Sequence, residues 1–152
     1  MPLIKVTSII VHEDVLHVIV AGKFDLEEAK RAFVQVMEAV SKNGSIRVLI
    51  DGRAVTGEPT VIERFIYGSF AANVATWGKA DVETRHSHQF AYVLVYPTLD
   101  DRRRGENAAV NQGMNLRVFE NLSDAAAWLD IDPKQFGVHA ASGIDTGAAD
   151  QE

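Results

Sequence analysis

No cysteine occurs among the 152 residues, which excludes disulfides, thiolate catalysis and cysteine-ligated zinc and fits a reducing compartment. The cytoplasm is therefore the expected location. No apolar run approaches the roughly 20 residues that span a bilayer, and Met1-Pro2-Leu3-Ile4-Lys5 lacks the basic start and apolar core of a signal peptide. A soluble protein that does not span a membrane is expected. Positive charge is scarce: 15 Lys and Arg stand against 21 Asp and Glu, a net charge of −6 that repels polyphosphates, so nucleic acid is not an expected partner. The one dense basic run, Arg102-Arg103-Arg104, directly follows Asp100-Asp101, whose carboxylates offset its field, and it reads as a solvated helix face. Catalytic signatures are missing too. There is no nucleophile elbow, no phosphate-cradling glycine motif and no HExxH, and no cofactor is implied.

What is present is an ordered series of apolar segments. Ile4 to Val11 and Val15 to Val20 are rich in β-branched residues and flank the polar turn His12-Glu13-Asp14, which predicts a hairpin. Ala21-Gly22-Lys23-Phe24 should end the second strand, and Asp25 should cap a helix that carries Glu27 and Glu28 in its first turn. Along that helix Leu26, Ala29, Phe33, Val36, Met37 and Val40 recur at spacings of three and four, one stripe for a sheet. Lys42-Asn43-Gly44 stops it, and Ile46 to Ile50 reads as a central strand ending at Asp51. Further strands are expected at Phe90 to Tyr96 and Met114 to Phe119. Helices are expected from about Asp101 to Gln112 and through Ala125-Ala126-Ala127-Trp128-Leu129, the last capped by Asn121 or Ser123. From Asp132 onward large apolar residues give way to Gly, Ala, Ser and Asp. The expectation is one α/β domain over residues 1–131 with order ββαβαβαβα, and a partly disordered extension at 132–152.

The helix from Pro59 to Trp77 stands out. Thr60 and Glu63 have capping-box spacing, and the apolar residues Val61, Ile62, Phe65, Ile66, Tyr67, Phe70, Val74 and Trp77 wrap much of its circumference. Phe65, Tyr67, Phe70 and Trp77 are the candidates for a second apolar side that a small lipophilic molecule, a protein partner or another copy in a homodimer would cover. The following loop and the last helices could equally cover it. His86 and His88, two residues apart, would point to one side of an extended segment, but no third ligand has convincing spacing, and no metal site is assigned.

The derived order, with Val20-Ala21-Gly22-Lys23-Phe24-Asp25, Val48-Leu49-Ile50-Asp51 and Arg117-Val118-Phe119 before Ala125-Ala126-Ala127-Trp128-Leu129, resembles the SpoIIAA-like family, related in fold to STAS domains. The resemblance covers roughly residues 3 to 130 and rests on apolar pattern. It implies a mixed β-sheet with helices packed mainly on one face, and roles from regulatory protein contact to binding of lipophilic molecules. It also implies a phosphorylatable hydroxyl where the loop after the third strand enters the next helix, and Thr60 falls there. The run Glu58-Pro59-Thr60-Val61 departs from the Asp-Ser-Ser-Gly-like pattern of that switch, and capping by Thr60 is the simpler reading. The favoured function is a noncatalytic regulatory or binding module acting through the 59–77 helix. The alternative is a small enzyme using Asp51, helped by Arg53 or by Glu63 from the next helix, at a strand-end crevice.

Overall fold

In the computed structural model, which describes residues 2–76, 88–100, 102–132 and 134, the pair Glu13-Asp14 turns the chain between β1 (Lys5–His12) and β2 (Val15–Lys23). Glu13 takes a positive φ of 54°, which lets two residues close the hairpin. The strands are antiparallel, and a bulge between Val6 and Ser8 interrupts their register. β1 lies at the edge of the sheet and alternates between exposed and half-buried residues, while Val15 to Val18 of β2 are all buried. Gly22 does not end β2, as the sequence reading expected. The strand runs on to Lys23, and Gly22 sits at φ 120° because the amino-terminal segment passes alongside it; a methyl group there would lie 2.5 Å from the Leu3 carbonyl oxygen.

The Asp25 carboxylate accepts a hydrogen bond from the Glu28 N–H at 3.0 Å and opens α1 (Leu26–Asn43). Gly44, at φ 65°, closes the helix by donating to the Val40 carbonyl. Then come β3 (Arg47–Thr56), α2 (Val61–Thr76), β4 (Gln89–Val93), α3 (Arg104–Asn111), β5 (Leu116–Phe119) and α4 (Leu122–Leu129), which Asn121 caps by accepting from the Asp124 N–H at 2.8 Å. The five strands lie in sequence order, with β2 to β5 parallel and joined by helices.

Strand alternation divides the core. Leu16, Val18, Val20, Val48, Ile50, Phe90, Tyr92 and Leu116 belong to one cluster with Phe33, Val36 and Val40 of α1, Ala71, Ala72 and Ala75 of α2 and Ala109 of α3. Leu49, Ala91 and Val93 turn the other way, against Ala125 and Leu129 of α4. Three of the four helices among the described residues thus share one side of a mixed sheet, the expected architecture. Arg47, at the start of β3, donates to the Asp14 carboxylate at 2.7 Å and to the carbonyls of Leu129 and Asp130 at 2.9 and 3.0 Å.

Two local readings are corrected. β3 does not end at Asp51 but continues for five residues to Thr56, because Ala21, Gly22 and Lys23 of the extended β2 offer it a parallel partner. Of the basic run, Arg103 and Arg104 are not a solvated helix face. Arg103 precedes α3 and donates to Glu106 and to the Val118 carbonyl, and Arg104 pairs with Asp100, so both tie the entry of α3 to its surroundings. Among the described residues no helix is long and apolar enough to cross a membrane. Apart from Asp132 and Lys134, the expected extension at 132–152 lies outside the described residues.

Candidate functional site

The start of α2 is set by a reciprocal pair. The Thr60 hydroxyl accepts from the Glu63 N–H at 3.1 Å, and the Glu63 carboxylate accepts from the Thr60 N–H at 2.9 Å. From there the helix buries its small residues and leaves four of its large ones exposed. Gly68, Ala71, Ala72 and Ala75 form the buried stripe, and α3 comes so close that a methyl group on Gly68 would run into the Gly105 carbonyl oxygen and meet the Ala108 Cβ at 3.1 Å. On the outer side Val61, Ile62, Phe65 and Ile66 remain 54, 69, 57 and 36% exposed. Nothing in the described part of the chain covers them.

The four residues expected to form one apolar side of α2 are not together. Successive helical residues are about 100° apart, so Phe65 and Tyr67 diverge by about 200°. Phe65 faces outward and Tyr67 inward, while Phe70 is half-buried with the Lys30 ammonium 5.5 Å from its ring centre. Trp77 lies outside the described residues.

Beneath α2 the helices leave a cavity of about 130 Å³ against the sheet. Its lining is mostly apolar, from Val20, Phe33, Val36, Ile50, Ala71 and Leu116 among others, with Tyr67 and Tyr92 as its phenolic groups. Their hydroxyls lie 2.6 Å apart, and the rings meet edge to face at 6.4 Å. Burial pushes Tyr67 up to about 12, against the lowering effect of its bond to Tyr92, and burial raises Tyr92 well above the ordinary tyrosine value. Charged residues also reach this lining, but they are matched to one another. Arg64 donates to the Thr98 and Pro97 carbonyls at 2.5 and 2.9 Å and lies 4.0 Å from Asp100, and Arg103 pairs with Glu106 at 3.4 Å.

On the opposite side of the sheet, Asp51 and Arg53 correct the expected crevice. Asp51 is a mid-strand residue only 4% exposed, and both its carboxylate oxygens accept from the Arg53 guanidinium, at 2.9 and 2.6 Å. A further bond comes from the Arg53 N–H at 3.2 Å. A carboxylate so held is a structural counter-ion and has no open approach as a base. His17, 2% exposed, is held below its ordinary value by burial; Asp51 opposes that shift and Arg53 adds to it. His88 stacks on Phe90 with ring centres 6.3 Å apart, and His86 lies outside the described residues. Among the described residues no group of three His, Asp or Glu could hold a metal ion.

Sequence reasoning missed Tyr92 and the whole cavity, as well as His17 beside Asp51. The available signal was a phenol in an otherwise aliphatic buried strand, since an enclosed tyrosine hydroxyl needs a partner.

No model of a protein family matches the chain, and a search among curated proteins finds no match. Among solved structures the chain is similar to the crystal structure of an anti-sigma factor antagonist from Mycobacterium paratuberculosis. The TM-score is 0.51 at 22% identity, over 84% of this chain and 94% of that one. The fold is therefore the SpoIIAA/STAS fold.

Proposed function

We propose that this chain is a noncatalytic regulatory module that acts by touching another protein, with the outer side of α2 as its contact surface. The observation that carries the reading is the exposure of Val61, Ile62, Phe65 and Ile66, 36 to 69%, on consecutive turns of one helix. Large apolar side chains grouped on a helix are the anchors by which such a helix is recognised. Its buried stripe is already satisfied by Gly68 and three alanines, so the larger residues add nothing to the core. The shared fold with a protein described as an anti-sigma factor antagonist supports a protein as the partner. The paired Asp51 gives no support to an enzyme.

Thr60 belongs to the same reading. It is exposed at the head of this surface, and a phosphate there would add about 1.5 to 2 negative charges beside Glu63 and break the reciprocal cap. A partner that packs on Val61 and Ile62 would meet that charge.

Ile62→Glu/Phe65→Glu tests the contact. Both positions are exposed, so the thermal midpoint should stay within a few degrees of the parent. Site-specific photo-cross-linking from position 66 in cells should capture one defined heterologous protein with the parent surface and lose it with the double variant. Capture that survives the double variant, or cross-links only between copies of this chain with a doubled mass in light scattering, would replace the reading, the second outcome by a homodimer.

A further inference from the structure

We propose that the cavity beneath α2 binds a small uncharged molecule of about the bulk of a single ring, bearing one hydrogen-bond acceptor, and that the Tyr67–Tyr92 hydroxyl pair is its polar anchor. This site lies on the inner side of α2 and does not depend on the protein contact proposed for the outer side.

Size sets the first limit. The cavity is about 130 Å³, close to the roughly 150 Å³ apolar hole that takes a benzene molecule, and too small for a long acyl chain. The space exists because residues that could fill it are small: Ala29, Ala32, Ala71 and Ala109 all stand on the lining. Charge sets the second. Arg64, Asp100, Arg103 and Glu106 already satisfy one another or nearby carbonyls, so no ion on this lining awaits a counter-charge. A charged ligand would enter without a partner, at a large desolvation cost.

Hydrogen counting sets the third. Two phenols carry two hydroxyl hydrogens, and the 2.6 Å bond between Tyr67 and Tyr92 uses one of them, whichever oxygen donates. The other hydrogen has no acceptor among the described residues. A donor left unused in a largely apolar, part-open pocket costs up to about 1 to 3 kcal/mol, and an oxygen or nitrogen acceptor on a ligand would remove that penalty. An aliphatic cavity that holds an unused donor selects a molecule apolar over most of its surface and polar at one atom.

Two probes of nearly equal shape test this: cyclohexanone, which has an acceptor, and methylenecyclohexane, which has none. Binding is read by ligand-observed NMR against the whole chain. The parent should bind both, with the ketone tighter by about fivefold, the worth of one net hydrogen bond. In Tyr67→Phe/Tyr92→Phe the rings stay and both hydroxyls go, a replacement expected to be nearly neutral for stability, and the preference should vanish or invert. Ala71→Val, or Ala32→Val should the first fail to fold, should weaken both probes at least tenfold by filling the space. The proposal is overturned if neither probe binds the parent, if the ketone preference is the same in the double phenylalanine variant, or if a folded valine variant binds as the parent does.

Discussion

Gly68→Ala offers a sharp test of how α2 and α3 are fitted together, because two effects of one methyl group oppose each other. Helix propensity alone favours alanine over glycine in a helix interior by about 1 kcal/mol. The added Cβ, however, would collide with the Gly105 carbonyl oxygen, a backbone atom in the first turn of α3 that has no rotamer to change, and would meet the Ala108 Cβ at 3.1 Å. Relief requires the two helices to part, and overpacking of this kind costs about 1 to 3 kcal/mol. Because the collision is with a backbone atom, the upper part of that range applies, about 2 to 3 kcal/mol, so overpacking should win and leave a net loss of about 1 to 2 kcal/mol. With a urea slope of about 2 kcal/mol per molar for a domain of this size, the midpoint should fall by about 0.5 to 1 M at unchanged slope. Asn73→Ala, on the exposed side of the same helix, is the control and should gain a few tenths of a kcal/mol. A Gly68→Ala midpoint equal to or above that of the parent would show that the helices are not in contact at this point.

Two other perturbations probe the opposite side of the sheet. Arg53→Ala leaves the nearly buried Asp51 carboxylate without its two-point partner, and a loss of about 2 to 4 kcal/mol is expected in urea titrations, less than for a fully enclosed pair because Arg53 is 30% exposed. His17 is held below its ordinary value of 6.5 when folded, so between that lowered value and 6.5 the unfolded chain binds more protons than the folded one. Its contribution to stability is therefore complete above pH 6.5 and is lost as the pH falls below it, with a slope no steeper than about 1.4 kcal/mol per pH unit. His17→Gln should flatten that part of a stability profile measured by thermal melts, and an unchanged profile would remove His17 from the account.

The order of strands and helices was legible because each element carries its own punctuation. Asp25 and Gly44 bracket α1, Thr60 and Glu63 open α2, and Asn121 opens α4, all within a few residues of where the chain places them. Strand ends were less legible, since Gly22 looks like a breaker and Asp51 like a terminator, yet β2 runs past Gly22 and β3 past Gly52. At both glycines the lack of a side chain answers a tertiary crowd: Leu3 beside Gly22, Leu94 and Val93 beside Gly52. The excess of large apolar residues on α2 was visible in the sequence, yet which of them face outward was not. The buried stripe is made of Gly68, Ala71, Ala72 and Ala75, residues whose hydrophobic signal is weak, and the reading by size therefore grouped Tyr67 with Phe65. The meeting of the Tyr67 and Tyr92 hydroxyls joins positions 25 apart on a helix and a strand, and no local pattern encodes it.

Arg47 grips the first reversal of the chain at Asp14 and the carbonyls of Leu129 and Asp130 at once. One guanidinium thus buckles an early loop to the finish of the last helix among the described residues, across more than eighty intervening positions. Clipping the polypeptide ahead of Leu129 should loosen amide protection around Asp14 long before the rest of the sheet responds, so an early-made corner would wait for a much later piece before it sets.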